Sequence, residues 1–252
     1  MKVYLLSIEE LQEKIVSENA CLQRLDSHRR EKAEQMKAPN VRYLYIGAGL
    51  LLQLVGREER MGVAPEGGIE KQSKVKAENQ PQIELFSVTQ LLNRLEICPF
   101  VVEFTYVYST KGKPQFADNL GGNCGFPFFN LSHSGKYVCC AVSDEEVGVD
   151  IQQMIPLRNF RVAERFFSER EQKALAACEE RQRREQWFYE LWVKKEAYAK
   201  LTGEGIGTGV SIDTMEAAAM AEPVMWQELE APAGYCMAAC SYRNTNVKEE
   251  NK

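Results

Sequence analysis

The chain has 252 residues, of which 44% are hydrophobic and 27% charged, with a formal net charge of −5. That length can bury a real core as one domain or two small ones, and the negative balance argues against nonspecific nucleic-acid binding. No apolar run is long enough for a membrane helix, and the opening MKVYLLSIEEL, broken by Glu9 and Glu10, reads as neither a signal peptide nor an anchor; a cytoplasmic protein is expected.

In chain order, residues 2–8 read as a strand and 8–19 as a short helix. Asp26 or Ser27 then caps a helix carrying Arg29, Arg30 and Lys32, which taken alone is a solvated basic face. Arg42 opens a helix over 41–54. Gly47 and Gly49 fall inside it and suit close helix packing rather than a dinucleotide loop, because no strand precedes them. Residues 57–82 are polar, with Gly62, Gly67, Gly68, Pro65 and Pro81, and are expected to form a mobile surface segment. An amphipathic helix over 85–95 and an alternating strand over 101–108 follow, then a turn at 110–114 that contains Lys113 and Pro114.

Residues 137–142, including Cys139 and Cys140, form an almost unbroken apolar run that suits a strand buried on both faces. The polar residues 143–146 have the length of a hairpin loop, with 147–152 as the returning strand. Residues 158–167 read as helical, and Ser168 to Glu171 has capping-box spacing for another helix. A long helix covers 186–201, Gly203 ends it, 235–242 is a closing strand and 244–252 a flexible tail. Eight cysteines occur with no CxxC, and His28 and His133 are the only histidines, so free buried thiols are expected rather than zinc or disulfides.

Two stretches carry chemistry. Along the strand 147–152 side chains alternate, so Gly148, Asp150 and Gln152 share a face, with neighbours on it roughly 6.5–7 Å apart at about 3.3 Å rise per residue. Two oxygen-bearing side chains there suit magnesium, which takes one or two carboxylates and completes its shell with water and phosphates. By itself Asp150 is equally an acid at the end of a strand. On the helix 186–201, Trp192, Glu196 and Lys200 recur every four residues and lie near one side; alone, Glu196 and Lys200 are an ordinary surface pair.

Taken together these stretches resemble the signature of the 4′-phosphopantetheinyl transferases of the Sfp type. The matches are Gly148-Val149-Asp150-Ile151-Gln152 and, about forty residues on, Trp192-Val193-Lys194-Lys195-Glu196-Ala197-Tyr198-Ala199-Lys200. Asn130-Leu131-Ser132-His133-Ser134-Gly135 and Gly112-Lys113-Pro114 resemble further family segments upstream, and Arg165-Phe166-Phe167-Ser168 another. Many members have glutamate where this chain has Gln152, which offers an oxygen without the charge.

The resemblance implies an α+β fold of two similar α/β subdomains related by a pseudo-twofold, here 1–118 and 126–243, the second carrying the magnesium site. It implies a transferase of the holo-[acyl-carrier-protein] synthase type, which moves 4′-phosphopantetheine from coenzyme A to a serine of an apo acyl or peptidyl carrier protein and releases adenosine 3′,5′-bisphosphate. Carried over residue by residue, Asp150, Gln152 and Glu196 are the metal ligands. Glu196, Asp150, Lys200 and His133 are catalytic. Arg29, Lys32, Arg42, Lys113, Pro114, Ser132, His133 and Lys200 bind the coenzyme, while Trp192 and Lys195 orient the helix. The expected partners are coenzyme A and the carrier protein, without nucleic acid or membrane, and the expected state is a monomer. Two other classes stay open at this point: a non-catalytic module binding coenzyme A or carrier protein, and a magnesium-dependent nucleotide phosphohydrolase.

Overall fold

Asp26, Ser87 and Ser168 each start a helix by accepting a backbone N–H, and these caps mark where the chain leaves extended structure. A computed structural model of the chain describes residues 1–61, 81–97, 100–110, 112–117, 127–205, 212–216 and 224–242. It forms two units, Met1–Asp144 and Glu145–Lys252, each with a sheet and helices, so the α+β class holds.

In the first unit, strand β1 (Lys2–Ser7) is followed by helices α1 (Glu9–Gln12), α2 (Glu18–Leu22), α3 (Ser27–Gln35) and α4 (Pro39–Met61). Then come β2 (Gln82–Ser87), α5 (Val88–Glu96), the short pair β3 (Tyr106–Tyr108) and β4 (Pro114–Phe116), and the hairpin β5 (Phe128–Ser134) and β6 (Tyr137–Ser143). The sheet order is β2-β1-β6-β5; β1 runs parallel to β2 and antiparallel to β6. Helix α4 lies close on this sheet. A β-carbon on Gly47 would lie 3.0–3.3 Å from side-chain carbons of Ile8, Leu6 and Val138, and one on Gly49 would lie 2.7 Å from Leu25, as the close-packing reading of these glycines requires. Strand β6 is buried through its middle, with Cys139 and Cys140 fully covered.

In the second unit, β7 (Val147–Gln153) is followed by α6 (Arg161–Phe166), α7 (Glu169–Ala177), α8 (Arg181–Thr202), β8 (Val224–Glu228) and β9 (Tyr235–Tyr242). The sheet order is β7-β9-β8, all antiparallel, and α8 packs across β7 and β9. Gly203, at φ 70°, ends α8 in the left-handed conformation that glycine adopts without steric penalty.

Several expectations are corrected. Strands β6 and β7 do not form a hairpin: β6 pairs with β1 and β5, and β7 pairs with β9, so the short link at 143–146 joins two sheets. The hairpin β5–β6 accordingly belongs to the first unit, and the units divide after Asp144 rather than between 118 and 126. The single helix expected over 8–19 is two, separated where Lys14 takes φ 59°. Residues 82–87 pair in parallel with β1, which overrides the helical pattern expected from Leu85, and α5 starts only after the capping box of Ser87 and Gln90. Of the strand expected over 101–108 only Tyr106–Tyr108 forms. Its Val102 exchanges both backbone hydrogen bonds with the Gln53 amide instead, at 2.7 and 2.9 Å. The helix expected over 158–167 spans Arg161–Phe166. Most of the segment 57–82, and the tail 244–252, lie outside the described residues. No described helix is long and apolar enough to cross a membrane, and no disulfide forms among the described residues.

Candidate active site

The site in the second unit begins with a close crossing. Val147, Val149 and Ile151 are fully buried on one face of β7, leaving Gly148, Asp150 and Gln152 on the other by strand alternation. A β-carbon on Gly148 would lie 2.0 Å from the Ala197 carbonyl oxygen and 2.7 Å from the Leu201 amide nitrogen. Any side chain there would push α8 off the strand. With the helix this close, the Lys200 ammonium donates to Asp150 Oδ1 at 2.6 Å, and the Asp150 carboxylate is buried.

Glu196 stands one turn before Lys200 on the same side of α8, half-buried. Burial, and secondly the negative charge of Asp150, push its carboxyl up to about 7, while Lys200 pulls the other way. A carboxyl whose ionisation is opposed by a neighbouring carboxylate, which in turn holds an ammonium, forms a site that favours added positive charge. The donors are hard oxygens: Asp150, Glu196 and the half-buried Gln152, two residues on from Asp150 along β7. Among the described residues no group of three or more histidine, cysteine or acidic side chains is placed to hold a metal, so the chain offers two carboxylates and an amide. That donor set fits magnesium, which needs only one or two carboxylates, better than zinc.

Lys195, beside Glu196, points the other way into the core. Its ammonium sits 2.8 Å from Glu171, with both side chains essentially buried, and donates to the Ile212 carbonyl. Glu171 also accepts from the Ser168 amide at 2.8 Å and from the Thr214 amide and hydroxyl at 2.9 and 2.7 Å. One carboxylate thus ties the start of α7, the middle of α8 and the segment 212–216 together. Trp192, one turn before Glu196, stacks on Phe188 at 6.2 Å and meets Phe166 edge-on at 5.8 Å. Lys195 and Trp192 are thus both held by contacts within the second unit. The capping box was the one sequence signal for Glu171; nothing local marked Thr214 as its partner.

The other residues implied by the resemblance lie in the first unit. The Arg29 guanidinium lies 4.9 Å from the Tyr45 ring centre and 5.3 Å from that of Tyr106, and its Nε donates to the Tyr106 hydroxyl at 3.2 Å. Asp26 caps α3 through Arg29 N and accepts from the same hydroxyl. The exposed Lys32 lies 5.6 Å from the Tyr45 ring, so Arg29 and Lys32 converge on Tyr45, a residue that the sequence did not single out. Arg42 is committed elsewhere: its guanidinium pairs with Glu18 at 2.8 and 3.1 Å and donates to the Met36 carbonyl at 2.9 Å. A phosphate would have to compete with Glu18 for it. Lys113 lies in a turn closed by its carbonyl and amide on Ser109, at the positive-φ Gly112, and Pro114 pairs with Tyr108. Ser132 is buried and His133 exposed near the tip of the β5–β6 hairpin.

Residues 146–240 match a family model described as the 4′-phosphopantetheinyl transferase superfamily, a stretch that includes Asp150, Gln152, Glu196 and Lys200 but none of the implied residues of the first unit. The 4′-phosphopantetheinyl transferase psf-1 of Bacillus pumilus is 48% identical over 83 residues, covering 33% of this chain and 35% of that protein. The 4′-phosphopantetheinyl transferase Sfp of Bacillus subtilis is 32% identical over 126 residues, covering 45% and 54%. The 4′-phosphopantetheinyl transferase HetI of a Nostoc species is 33% identical over 152 residues, covering 58% and 62%. The chain therefore spans between about a third and under two thirds of the length of these curated relatives.

Proposed function

The chain belongs, over residues 146–240, to the 4′-phosphopantetheinyl transferase superfamily, and on that premise we propose that it transfers the 4′-phosphopantetheine group of coenzyme A to a serine hydroxyl of an apo acyl or peptidyl carrier protein. The observation that carries this reading is the set Asp150, Glu196 and Lys200, brought together by the crossing of α8 over β7 at Gly148. Asp150 and Glu196 would hold magnesium, with the Gln152 amide oxygen or a water completing the protein's share. When bound, the ion would neutralise negative charge on the coenzyme's pyrophosphate.

The chain's own residues then position and stabilise. The serine oxygen attacks the phosphorus that bears the pantetheine arm. The bond from that phosphorus to the bridging oxygen breaks, and adenosine 3′,5′-bisphosphate leaves. Glu196, or a water beside it, takes the serine proton. Lys200 supplies positive charge to the phosphate oxygens, as would Lys113, and His133 an N–H donor, since phosphoryl transfer is accelerated chiefly by positioning and charge. Arg29 and Lys32, converging at Tyr45, suit the 3′-phosphate, with the Ser132 hydroxyl a further neutral donor and Pro114 fixing the turn that presents Lys113. Arg42 joins them only by exchanging Glu18 for phosphate. Buried thiols such as those of Cys21 and Cys140 suit a reducing, cytoplasmic setting.

Chromatographic release of adenosine 3′,5′-bisphosphate from coenzyme A and magnesium tests this. Release that requires an apo carrier protein supports transfer to it. Release that proceeds equally without a carrier means water is the nucleophile and overturns the reading in favour of a hydrolase.

A further inference from the structure

In the first unit Arg24 pairs with Glu96, Arg42 with Glu18 and Arg94 with Glu58. Arg29 donates to the Tyr106 hydroxyl, and Arg30 to the Leu22 and Leu25 carbonyls. Arg57, near the end of α4, is different. It is 3% exposed, and its Nη1 donates to the Leu95 carbonyl, which closes the last turn of α5. Its Nε and Nη2 are also buried, and they meet no acceptor among the described residues. Burial first, and the charge of Arg24 second, lower its pKa to about 10, and no acid among the described residues offsets them.

A buried charge is ordinarily paired, and a buried donor ordinarily has an acceptor. The two N–H groups left over on Arg57 are the parallel pair along one edge of the guanidinium, the pair that grips two oxygens of one carboxylate or phosphate. Arg24 adds positive charge beside them. It is held by Glu96 at 3.3 Å, and that carboxylate is 63% exposed. Exposed pairs of this kind are weak, so an anion of higher charge can take the place of Glu96. Phe100, whose ring centre is 5.9 Å from the Arg57 guanidinium, is 42% exposed, so solvent lies just beyond that side chain. These residues are separate from those proposed to meet coenzyme A. Tyr45, on which Arg29 and Lys32 converge, precedes Arg57 by twelve residues on α4, about 18 Å at 1.5 Å per residue.

We propose that Arg57, with Arg24 beside it, binds a phosphate ion near the C-terminal ends of α4 and α5, Nε and Nη2 of Arg57 each donating to one oxygen. Two arginines favour the doubly charged ion over a single carboxylate. The depth of the guanidinium favours free inorganic phosphate over a phosphate carried on a larger molecule. The ion supplies the acceptors that the fold withholds and ties α4, α5 and the turn after α2 together, so its binding stabilises the first unit. The site uses none of the residues of the transfer reading and stands or falls apart from it.

The test is thermal unfolding of the full chain, without magnesium or coenzyme A, in phosphate and in chloride matched for ionic strength. The expected result is a saturable rise in Tm with phosphate beyond that in chloride, absent in R57Q and retained in R29Q/K32Q. R57K keeps the charge without the fork, so it should need about tenfold more phosphate for half the rise. It decides the matter if R57Q does not fold. A wild-type rise no larger than in chloride overturns the site. So does a rise that survives in R57Q, that R57K shows at the parent's phosphate concentration, or that is lost in R29Q/K32Q.

Discussion

Gly148 stands against the Ala197 carbonyl so closely that a β-carbon on it would lie 2.0 Å from that oxygen. This contact sets the depth of the α8 crossing and thereby the 2.6 Å bond from Lys200 to Asp150. Gly148→Ala has backbone on the facing side and no flexible side chain to move. Overpacking of this kind destabilises by about 1–3 kcal/mol, and the displaced helix carries Glu196 and Lys200 with it. The urea midpoint should fall at unchanged slope, and transfer by the folded fraction should fall by about 10²-fold, the loss that a misplacement of about 1 Å can bring. A variant as stable and active as the parent would contradict the close crossing.

Lys195 and Glu171 form a buried pair at 2.8 Å. Lys195→Met leaves the Glu171 charge buried with only neutral donors, and breaking a buried pair this way costs about 3–5 kcal/mol. Adding Glu171→Gln removes the charge while the amide can still accept from Thr214. The double variant should therefore recover part of the loss, a coupling readable by denaturant titration of all four proteins. Purely additive losses would mean that the pair does not act as one.

The Glu196 carboxyl is raised from 4.5 to about 7, by burial first and Asp150 second. A group whose folded pKa is raised adds stability below its unfolded value and loses it as pH rises through the folded one. Without metal, Glu196→Gln should therefore raise the melting temperature at pH 8 and have little effect at pH 4. Magnesium should raise the melting temperature of the parent more at pH 8 than at pH 5, and not that of Asp150→Ala. Equal shifts at both pH values would argue against a metal held by these carboxylates.

Gln152 follows Asp150 by two residues on β7 and is half-buried. Gln152→Glu adds a formal charge beside a hard cation, so the magnesium concentration for half-maximal transfer should fall, by roughly tenfold if the carboxylate ligates directly (about 1.4 kcal/mol). Half-saturation no tighter than in the parent would place Gln152 outside the metal's shell.

Much of the site was legible before the structure. Strand alternation placed Gly148, Asp150 and Gln152 on one face, helical spacing placed Glu196 and Lys200 on one side, and the Ser168 to Glu171 box marked a helix start that forms. Pairing was less legible. Both 137–142 and 147–152 are strands, but a four-residue link says nothing about whether they pair, and their partners β1 and β9 lie far away in the chain. Residues 82–87 became a strand because β1 offered a parallel edge, which no local pattern encodes. The reason for Gly148 was equally hidden, since the helix that needs the space lies about fifty residues on. Arg42 looked like a ligand-binding arginine, and only the fold brings Glu18 and Met36 to its guanidinium.

The central claim is tested most directly by mass spectrometry of an apo carrier protein incubated with this chain, coenzyme A and magnesium. A gain of about 340 Da, the mass of one phosphopantetheine group transferred to serine, is expected with the parent, and its loss in Asp150→Ala and Glu196→Ala. An unmodified carrier protein, despite measurable binding of coenzyme A to the chain, would contradict a transferase and leave a binding module in its place.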